Sequence, residues 1–403
     1  MYGLKLDLPY QPKVPYDWES RRPWLQLAFP QEEYDRRLAA VRAKMAAGGM
    51  DALVIYGAPG GEDASARWLT NFSSFGGPQA VVLPPAGDPW IFCSRNLHGE
   101  PMHSLYWQTW VKEAHPAAAG DGPAVMAAEL LADTGARVVG VAGWESIPRS
   151  WAGALARLLP GRELVSATAM LIELRGIKSP LEIEKMRQAS LVAGQALKAA
   201  IDASRPGASE HEVTGISNQV IFRLGAEALA FDTVVAAGPR AGLKHSVPTG
   251  RLMQPGDMVF IDIGARVDGY HSDLSRTFVV GEPDAFQHRF LATAERMFQL
   301  WLEEARPGSH VPELKRQCQE IAYSAGFVEE HMPMGQGHGL GTALWEIPWF
   351  SFEADQVLEE GMIFALEPML VRLGVGTAVV EDTMLVTGNG IEALSGQPTT
   401  RYL

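Results

Sequence analysis

Three acidic residues interrupt the most apolar runs in the second half of this 403-residue chain. Asp262 stands in Val-Phe-Ile-Asp-Ile-Gly, Glu367 in Phe-Ala-Leu-Glu-Pro and Glu381 in Ala-Val-Val-Glu-Asp. These runs predict buried strands, in which an unpaired carboxylate costs several kcal/mol. The fold must therefore bring positive charge to these groups, and this requirement constrains the chain more than any other feature of its sequence.

A fourth acid joins the first of these through a predicted β-hairpin over residues 257–278, which has a tight Asp-Gly turn at its centre. This turn places Asp262 opposite Ser275 and leaves Asp273 one diagonal step away on the same face, within roughly 5 to 8 Å. For either aspartate alone, a hydrogen bond to a helix end or to Arg276 is an equal alternative. Two acids on one face favour a metal ion.

A second strand pair repeats this arrangement. The predicted strands 362–371 and 377–386 flank a glycine-containing turn, and a three-residue loop at 373–375 places Glu367 directly opposite Glu381. A structural ion pair is the alternative here, but neither strand has a lysine or arginine near enough to serve.

His338 lies between the two strand pairs, surrounded by four glycines in Gly-Gln-Gly-His-Gly-Leu-Gly. Glycine lets the backbone approach closely while the imidazole points at a neighbour. A lone histidine is usually a polar core residue, but beside four carboxylates a ligand is favoured. Such a set suits two divalent ions such as Mn²⁺, Co²⁺, Zn²⁺ or Fe²⁺. Two ions about 3.5 to 4 Å apart can share a hydroxide and polarise a carbonyl group.

Other classes of protein fit the sequence less well. Cys93 and Cys318 carry no catalytic signature, and neither Gly-x-Ser-x-Gly nor a phosphate loop is present. A formal charge of -13 disfavours nucleic acid and membrane surfaces as partners. The two distant cysteines, the charges within the first fifteen residues and the lack of a long apolar run predict a cytoplasmic protein.

The chain divides into two predicted domains. Strand-like runs that alternate with helices predict an α/β domain over residues 1–171. Ser-Pro-Leu-Glu at 179–182 is a capping box that opens a long helix, and strands with a period of two follow from Thr233. This change predicts an α+β domain over residues 172–403.

The acidic and histidine motifs resemble those of the pita-bread metallopeptidases, a family that includes methionine aminopeptidase, aminopeptidase P, prolidase and the metal-free creatinase. The two aspartates are 11 residues apart and the two glutamates 14 residues apart, each in a context like that of the family. The resemblance is strong from about Gly176 and looser over residues 29–165. It implies a creatinase/prolidase-like N-terminal α/β domain and a pita-bread α+β catalytic domain.

The resemblance also implies roles for individual residues. Asp273 and Glu381 would bridge two metal ions, and Glu367 would be a ligand that also moves a proton. His245 stands where the family has a substrate-facing histidine that stabilises the tetrahedral intermediate, although a loop histidine is the alternative. The implied metal ligands are Asp262, Asp273, His338, Glu367 and Glu381.

Three positions depart from the family pattern. Trp345 and Met334 stand where peptidases of the family carry histidines, and Val379 stands where they carry an arginine. We therefore expect a more apolar cleft than that of a typical prolidase. His271 lies two residues before Asp273 and so on the same face of its strand. His271, and Trp345 at the position of the family histidine, are therefore the candidate substrate-binding residues.

These observations favour metal-dependent hydrolysis of a C–N bond in a small peptide or amide, with Xaa-Pro aminopeptidase or dipeptidase as the leading hypothesis. One alternative is a non-peptidase relative, a hydrolase or lyase acting on a small cyclic or guanidino metabolite. Another is a binding protein without turnover, against which the intact ligand set argues.

Two-domain members of the family generally form homodimers, in which the N-terminal domain of one chain covers the cleft of the other. We therefore expect a homodimer. Four aromatic residues of the first domain are candidates for that contact, with the domain core as the alternative: Trp68, Tyr106, Trp107 and Trp110.

Overall fold

The computed structural model describes residues 17–59, 63–74, 76–94, 108–333, 336–350 and 355–398. The chain forms two compact units, Met1–Leu174 and Arg175–Leu403. The finer domain boundary, between residues 171 and 172, stays a prediction. No helix in the described part of the chain is both long and apolar enough to cross a membrane.

The first unit is built on a mixed six-stranded sheet. Its strands have the spatial order β4-β3-β2-β1-β5-β6, and β1 pairs antiparallel with β2 and parallel with β5. They are β1 (Ala52–Gly57), β2 (Gln79–Leu83), β3 (Trp90–Ser94), β4 (Glu113–Ala117), β5 (Val138–Ala142) and β6 (Glu163–Ser166). The helices of this part are α1 (Trp18–Arg21), α2 (Gln31–Ala47), α3 (Ala64–Thr70), α4 (Gly122–Ala132), α5 (Arg149–Leu158) and α6 (Thr168–Gly176).

Two of the aromatic residues proposed for a dimer contact belong to the core of the first unit. Trp68 is 2% exposed and Trp110 is 8% exposed, and the indole N–H of Trp110 donates to the Leu69 carbonyl oxygen at 3.0 Å. Because both side chains are buried, neither is available to contact a partner chain. Tyr106 and Trp107 lie outside the described residues.

The second unit is built on an antiparallel sheet of eight strands. The order β13-β14-β16-β12-β9-β8 forms its path, β15 and β17 also pair with β16, and a separate three-stranded sheet has the order β11-β10-β7. The strands are β7 (Ala228–Leu229), β8 (Val234–Ala237), β9 (Met258–Ile263), β10 (Ala265–Val267), β11 (Tyr270–His271), β12 (Leu274–Val279), β13 (Gly337–Gly339), β14 (Ile363–Leu366), β15 (Met369–Arg372), β16 (Gly376–Thr387) and β17 (Gly390–Ala393). The helices are α7 (Pro180–Ala203), α8 (Glu210–Arg223), α9 (Ala285–Glu304) and α10 (Val311–Ser324).

Helices cover both faces of this sheet, because its central strands are apolar on both sides. Val259 and Ile261 of β9 join a core with α7 and α8, whereas Met258 and Phe260 join a second core with α9 and α10. Asp262 continues the face of Met258 and Phe260, since successive side chains of a strand alternate. The predicted capping box at the start of α7 is present.

The hairpin over residues 257–278 has the predicted register. Asp268 and Gly269 both have positive φ, 49° and 90°, as a two-residue type I′ turn requires. Asp262 pairs with Ser275, as predicted. Only glycine fits at position 264, where a Cβ atom would lie 2.2 Å from the Ser272 carbonyl oxygen.

The second predicted strand pair is broken on one side. The predicted strand 362–371 is divided into β14 and β15 at Glu367 and Pro368. Proline has no N–H to donate, and the Glu367 N–H donates to the Gln336 carbonyl oxygen at 3.2 Å. The pairs on either side of the break, Leu366–Asp382 and Met369–Val379, still leave Glu367 in register with Glu381.

Candidate metal centre

Three neighbouring strands place two of the predicted ligands in one row. Asp262 of β9 lies opposite Ser275 of β12, and Ser275 lies opposite Glu381 of β16. Residues that face each other across a sheet share a side of it, and Asp273 joins that side two residues before Ser275. One ligand atom from each of Asp262, Asp273 and Glu381 lies within 4.8 Å of the other two.

The other two predicted ligands meet this group in the same cavity, which has a volume of about 750 Å³. His338 is on β13, and its Nε2 lies 3.4 Å from Asp273 Oδ2. Glu367 lies at the break between β14 and β15. The structure thus brings all five together. The charged and aromatic residues that line the cavity are His211, Phe231, Asp232, Lys244, His245, Asp262, Asp273, His338, Trp345, Glu367 and Glu381.

The carboxylates of this centre are crowded and poorly compensated. Burial, followed by the charges of Asp273 and Glu367, raises the pKa of Asp262 well above its usual range. Burial and the charges of the same neighbours raise the pKa of Glu381 in the same way. Asp262 Oδ1 is buried and has no hydrogen-bond partner within the described residues. A cation would supply the missing partner and charge, so the donor set fits a metal.

His338 interacts electrostatically with Asp273. Burial alone lowers the pKa of the His338 ring, but the hydrogen bond and charge of Asp273 outweigh burial and raise it. The other ring nitrogen, Nδ1, lies 3.2 Å from the Gly339 carbonyl oxygen. With Nδ1 as the donor to that carbonyl, Nε2 is the nitrogen available as a ligand.

Arg276 does not neutralise the aspartates. Its Nη2 lies 3.2 Å from Asp382 Oδ2, and both side chains are buried. Ser395 Oγ donates a hydrogen bond to the same Asp382 oxygen at 2.5 Å. Arg276 therefore does not compensate Asp262 or Asp273. It forms a structural ion pair with Asp382, the residue that follows Glu381 on β16.

Lys244 is a charged residue of the cavity to which the sequence analysis assigned no role. Its Nζ lies 3.2 Å from Glu367 Oε2, and its side chain is 25% exposed. Burial alone lowers the pKa of Lys244, but the charges of Glu367, Glu381 and Asp262 raise it. The sequence argument considered only the lysines and arginines of the two strands, and Lys244 reaches Glu367 from the loop before β9.

Glu210, at the start of α8, holds this loop in place. Its Oε2 accepts hydrogen bonds from the Thr249 N–H at 2.8 Å and the Thr249 hydroxyl at 2.7 Å, and its Oε1 accepts one from the Ala237 N–H at 3.0 Å. Arg240 pairs with the same carboxylate and donates to the Val247 carbonyl oxygen at 2.6 Å. One fully buried carboxylate thus ties together both ends of the segment that carries Lys244.

His245 follows Lys244 and also lines the cavity. It has φ 61°, a left-handed conformation that is uncommon outside glycine and is frequent at functional sites. Burial and the adjacent charge of Lys244 lower the pKa of His245. The ring is therefore neutral near pH 7 and retains a single N–H donor.

The two candidate substrate-binding residues occupy different environments. Trp345 lines the cavity and is 61% exposed, and its ring centroid lies 5.9 Å from that of His338. His271 is buried, is not among the lining residues, and has Nδ1 3.0 Å from the Gly341 carbonyl oxygen. His271 thus contacts the loop that follows His338.

The other two departures from the family pattern add no polar group in the described cavity. Val379 is 1% exposed and pairs with Met369 in the sheet. Met334 lies outside the described residues.

A buried ion cluster anchors the loop that carries Trp345. The carboxylate of Glu346 lies 2.7 Å from Lys178 Nζ and 3.1 Å from Arg175 Nη2, and each of these side chains is at most 5% exposed. A Cβ atom at position 341 would lie 2.2 Å from Glu346 Oε1, so a larger residue there would displace this paired carboxylate. The segment around Trp345 is thereby fixed where this ring faces the cavity.

Comparison with known proteins assigns the chain to a family. Residues 184–388 match metallopeptidase family M24, and residues 37–177 match the Creatinase/Prolidase N-terminal domain. A Xaa-Pro dipeptidase of Pyrococcus furiosus is 34% identical over 234 residues, covering 58% of this chain and 67% of the relative. A probable dipeptidase PepE of Mycobacterium bovis is 29% identical over 377 residues, covering 92% of this chain and 96% of the relative.

Solved structures agree with this assignment. The crystal structure of the prolidase from Pyrococcus horikoshii OT3 matches with a TM-score of 0.80 and 25% identity, covering 90% of this chain and 99% of the prolidase. The predicted fold class is confirmed, with a creatinase-like α/β domain followed by a pita-bread catalytic domain. The chain belongs to metallopeptidase family M24.

Proposed function

We propose that this metallopeptidase hydrolyses the C–N bond of small Xaa-Pro peptides, as a dipeptidase or aminopeptidase. The observation that carries the proposal is the meeting of three carboxylates within 4.8 Å, in one cavity with His338 and Glu367. The substrate class is supported by the 34% identity to a Xaa-Pro dipeptidase.

We infer that the cofactor is a pair of divalent ions, Mn²⁺, Co²⁺, Zn²⁺ or Fe²⁺. The orphaned Asp262 Oδ1 and the mutually repelling carboxylates support a cation at this place. Asp273 and Glu381 would bridge the two ions, and Asp262, His338 and Glu367 would complete the ligands. When bound, such ions activate a water molecule as the nucleophile and polarise the scissile carbonyl group.

The side chains of the cavity supply the remaining steps. Glu367 would accept a proton from the attacking water and pass it to the leaving amine, as a carboxylate beside the reacting atoms can. His245, neutral because its pKa is lowered, would donate its N–H to the developing oxyanion. The exposed ring of Trp345 would form an apolar wall for the substrate.

A second candidate function follows from Trp345 itself. This ring stands where peptidases of the family carry a histidine that contacts substrate, and it is 61% exposed in the described part of the cavity. An apolar wall beside the same carboxylates also suits a small cyclic or guanidino metabolite. In that case the chain would be a hydrolase or lyase outside peptide metabolism.

A substrate panel with metal analysis tests both candidates. The purified protein is measured for bound metal and assayed with added Mn²⁺ or Co²⁺ on Xaa-Pro dipeptides, Xaa-Pro tripeptides, matched Xaa-Ala dipeptides, cyclic amides and guanidino compounds. We expect metal-dependent cleavage of the proline-containing peptides. Turnover of a cyclic or guanidino compound alone would favour the second candidate, and metal binding without any turnover would leave a binding protein.

We also propose that the chain is a homodimer, as two-domain relatives generally are. The burial of Trp68 and Trp110 means that these two side chains do not form the contact. A dimer would make substrate selection depend on a second copy of the chain.

A further inference from the structure

A neighbouring segment of the chain spans the strand break that presents Glu367. Strand β13 pairs with β14 on the edge that faces away from β16. On the same edge of β15, His331 forms a β-bridge with Leu370. The Val371 N–H donates to the Glu330 carbonyl oxygen at 2.8 Å. The residues before β13 thus contact the strand after the break, and β13 itself contacts the strand before it.

Gln336 lies at the break itself. Its carbonyl oxygen accepts the Glu367 N–H at 3.2 Å. Pro368 follows Glu367 and has no N–H to donate, so it cannot add a further hydrogen bond of this kind. Strand β13 approaches β14 so closely that a Cβ atom at Gly337 would lie 2.4 Å from the Ala365 carbonyl oxygen. The main chain of Gln336 therefore holds the main chain of Glu367.

The side chains of Gln336 and His331 join the two parts of this segment. Gln336 Nε2 lies 3.0 Å from His331 Nε2, and the two residues are 0% and 5% exposed. Burial, followed by the charge of Lys315, lowers the pKa of His331, so its ring is neutral near pH 7. A neutral imidazole and an amide can form this hydrogen bond with either group as the donor.

This contact is the only one that satisfies the polar groups of the pair. Within the described residues, the remaining polar side-chain atoms, Gln336 Oε1 and His331 Nδ1, are buried and have no hydrogen-bond partner. Neither residue is among those described as lining the cavity. The pair can therefore influence the cavity only through the main chain that it holds.

We propose that His331 and Gln336 are positioning residues, whose buried hydrogen bond holds Glu367 in place at the strand break. The proposal rests on the proton transfer assigned to Glu367 above. A group that moves a proton must stay within hydrogen-bond reach of the reacting atoms. A misplacement of about 1 Å can lower the rate by about 10²-fold, so loss of this contact should slow turnover.

Hydrogen–deuterium exchange of the metal-stripped protein tests the structural step, because it needs neither substrate nor metal. In Gln336→Leu we expect the backbone amides of residues 363–371 to exchange at least tenfold faster than in the unaltered protein. Those of α8 should stay within threefold. His331→Gln keeps a side-chain group that can donate and accept, so it should leave exchange over residues 363–371 within threefold.

Steady-state kinetics with Mn²⁺ or Co²⁺ in excess test the functional step. Gln336→Leu and His331→Leu should each lower kcat on a Xaa-Pro dipeptide at least tenfold and leave KM within threefold, because the cavity lining is unaltered. His331→Gln should keep kcat within threefold of the unaltered protein.

A double variant separates positioning from stability. His331→Leu with Gln336→Leu replaces the polar pair by an apolar one, so no buried polar atom of the pair is left without a partner. We expect this variant to unfold at nearly the same denaturant concentration as the unaltered protein and still to lose kcat at least tenfold.

Gln188→Leu is the matched control. Gln188, on α7, also donates a side-chain hydrogen bond, to Glu184 Oε1 at 3.1 Å, and is not among the residues described as lining the cavity. Its exchange and kinetics should match those of the unaltered protein. If Gln336→Leu does not fold, as judged by circular dichroism, Gln336→Ala takes its place.

Unchanged exchange over residues 363–371 in Gln336→Leu would overturn the proposal, and so would an unchanged kcat in the double variant. The exchange measurement does not depend on the substrate, so the two proposals can fail independently. Faster exchange in Gln336→Leu, together with no Xaa-Pro cleavage by the unaltered protein, would support the positioning of Glu367 and contradict the substrate assignment.

Discussion

At the scale of single residues, the centre depends on carboxylates that the fold buries without neutralising. Burial and the charges of neighbouring carboxylates raise the pKa of Asp262 and that of Glu381. Burial also raises the pKa of Asp382, next along the chain, but there the charge of the paired Arg276 opposes the shift. This contrast between adjacent acids distinguishes a ligand from a structural pair. It cannot be seen in the sequence, in which both acids stand in the same apolar strand.

His245 should affect turnover without affecting metal content. His245→Ala removes the proposed oxyanion donor, and the loss of one such donor lowers turnover by about 10² to 10³. Steady-state kinetics on a Xaa-Pro dipeptide and metal analysis of the same sample check this. His288→Ala, at an exposed position of α9, is the control. An unchanged rate would mean that His245 is only a loop residue.

At the scale of elements, turns and loops decide where the reactive side chains lie. The Asp-Gly turn sets the hairpin register, and through it the row of Asp262 and Ser275. The segment around Trp345, which follows β13, is set instead by Glu346 and its two buried cations. Because that anchor holds Trp345 against the cavity, it should influence substrate binding from outside the cavity lining.

Glu346→Gln should loosen this loop. It leaves Lys178 and Arg175 buried without a carboxylate, so we expect a loss of about 3 kcal/mol in the free energy of unfolding. The displaced Trp345 should raise KM more than it lowers kcat. Denaturant unfolding and steady-state kinetics measure the two effects. Glu359, an exposed residue shortly before β14, supplies the control, Glu359→Gln, and equal changes in both variants would rule out an anchoring role.

The sequence predicted those elements whose signals are local. The capping box at 179–182 opens α7 as predicted, and the Asp262–Ser275 register follows from one turn. Strand β4 was not predicted, because it is a polar edge strand that contains Pro116. The position of Lys244 also escaped prediction, because it depends on contacts between its loop and the distant Glu210.

At the scale of the whole molecule, two domain types are joined in one chain, and the motifs for both were visible in the sequence. The catalytic unit was identified from the spacing of its acidic residues, and the strand pairing of the sheet brings these residues close together. The sequence left the first unit's aromatic residues open between core and interface, because a high density of tryptophan does not distinguish the two. Trp68 and Trp110 pack inside.

The proposed homodimer gives a direct prediction for the particle mass. Light scattering at micromolar concentration should give twice the chain mass of 43.8 kDa. The mass should not depend on added metal, because the proposed ligands all come from one chain. A particle of single-chain mass that still discriminates between dipeptides and tripeptides would contradict the homodimer.

The central claim is that the buried carboxylates form a metal centre that performs hydrolysis. Its most direct test is metal content together with Xaa-Pro hydrolysis in Asp273→Asn and Glu381→Gln, with Glu392→Gln on the neighbouring strand β17 as the control. Because each bridging carboxylate would serve both ions, we predict that either variant loses bound metal and activity together, while the control keeps both. Retention of two ions per chain with undiminished hydrolysis in either variant would contradict the account.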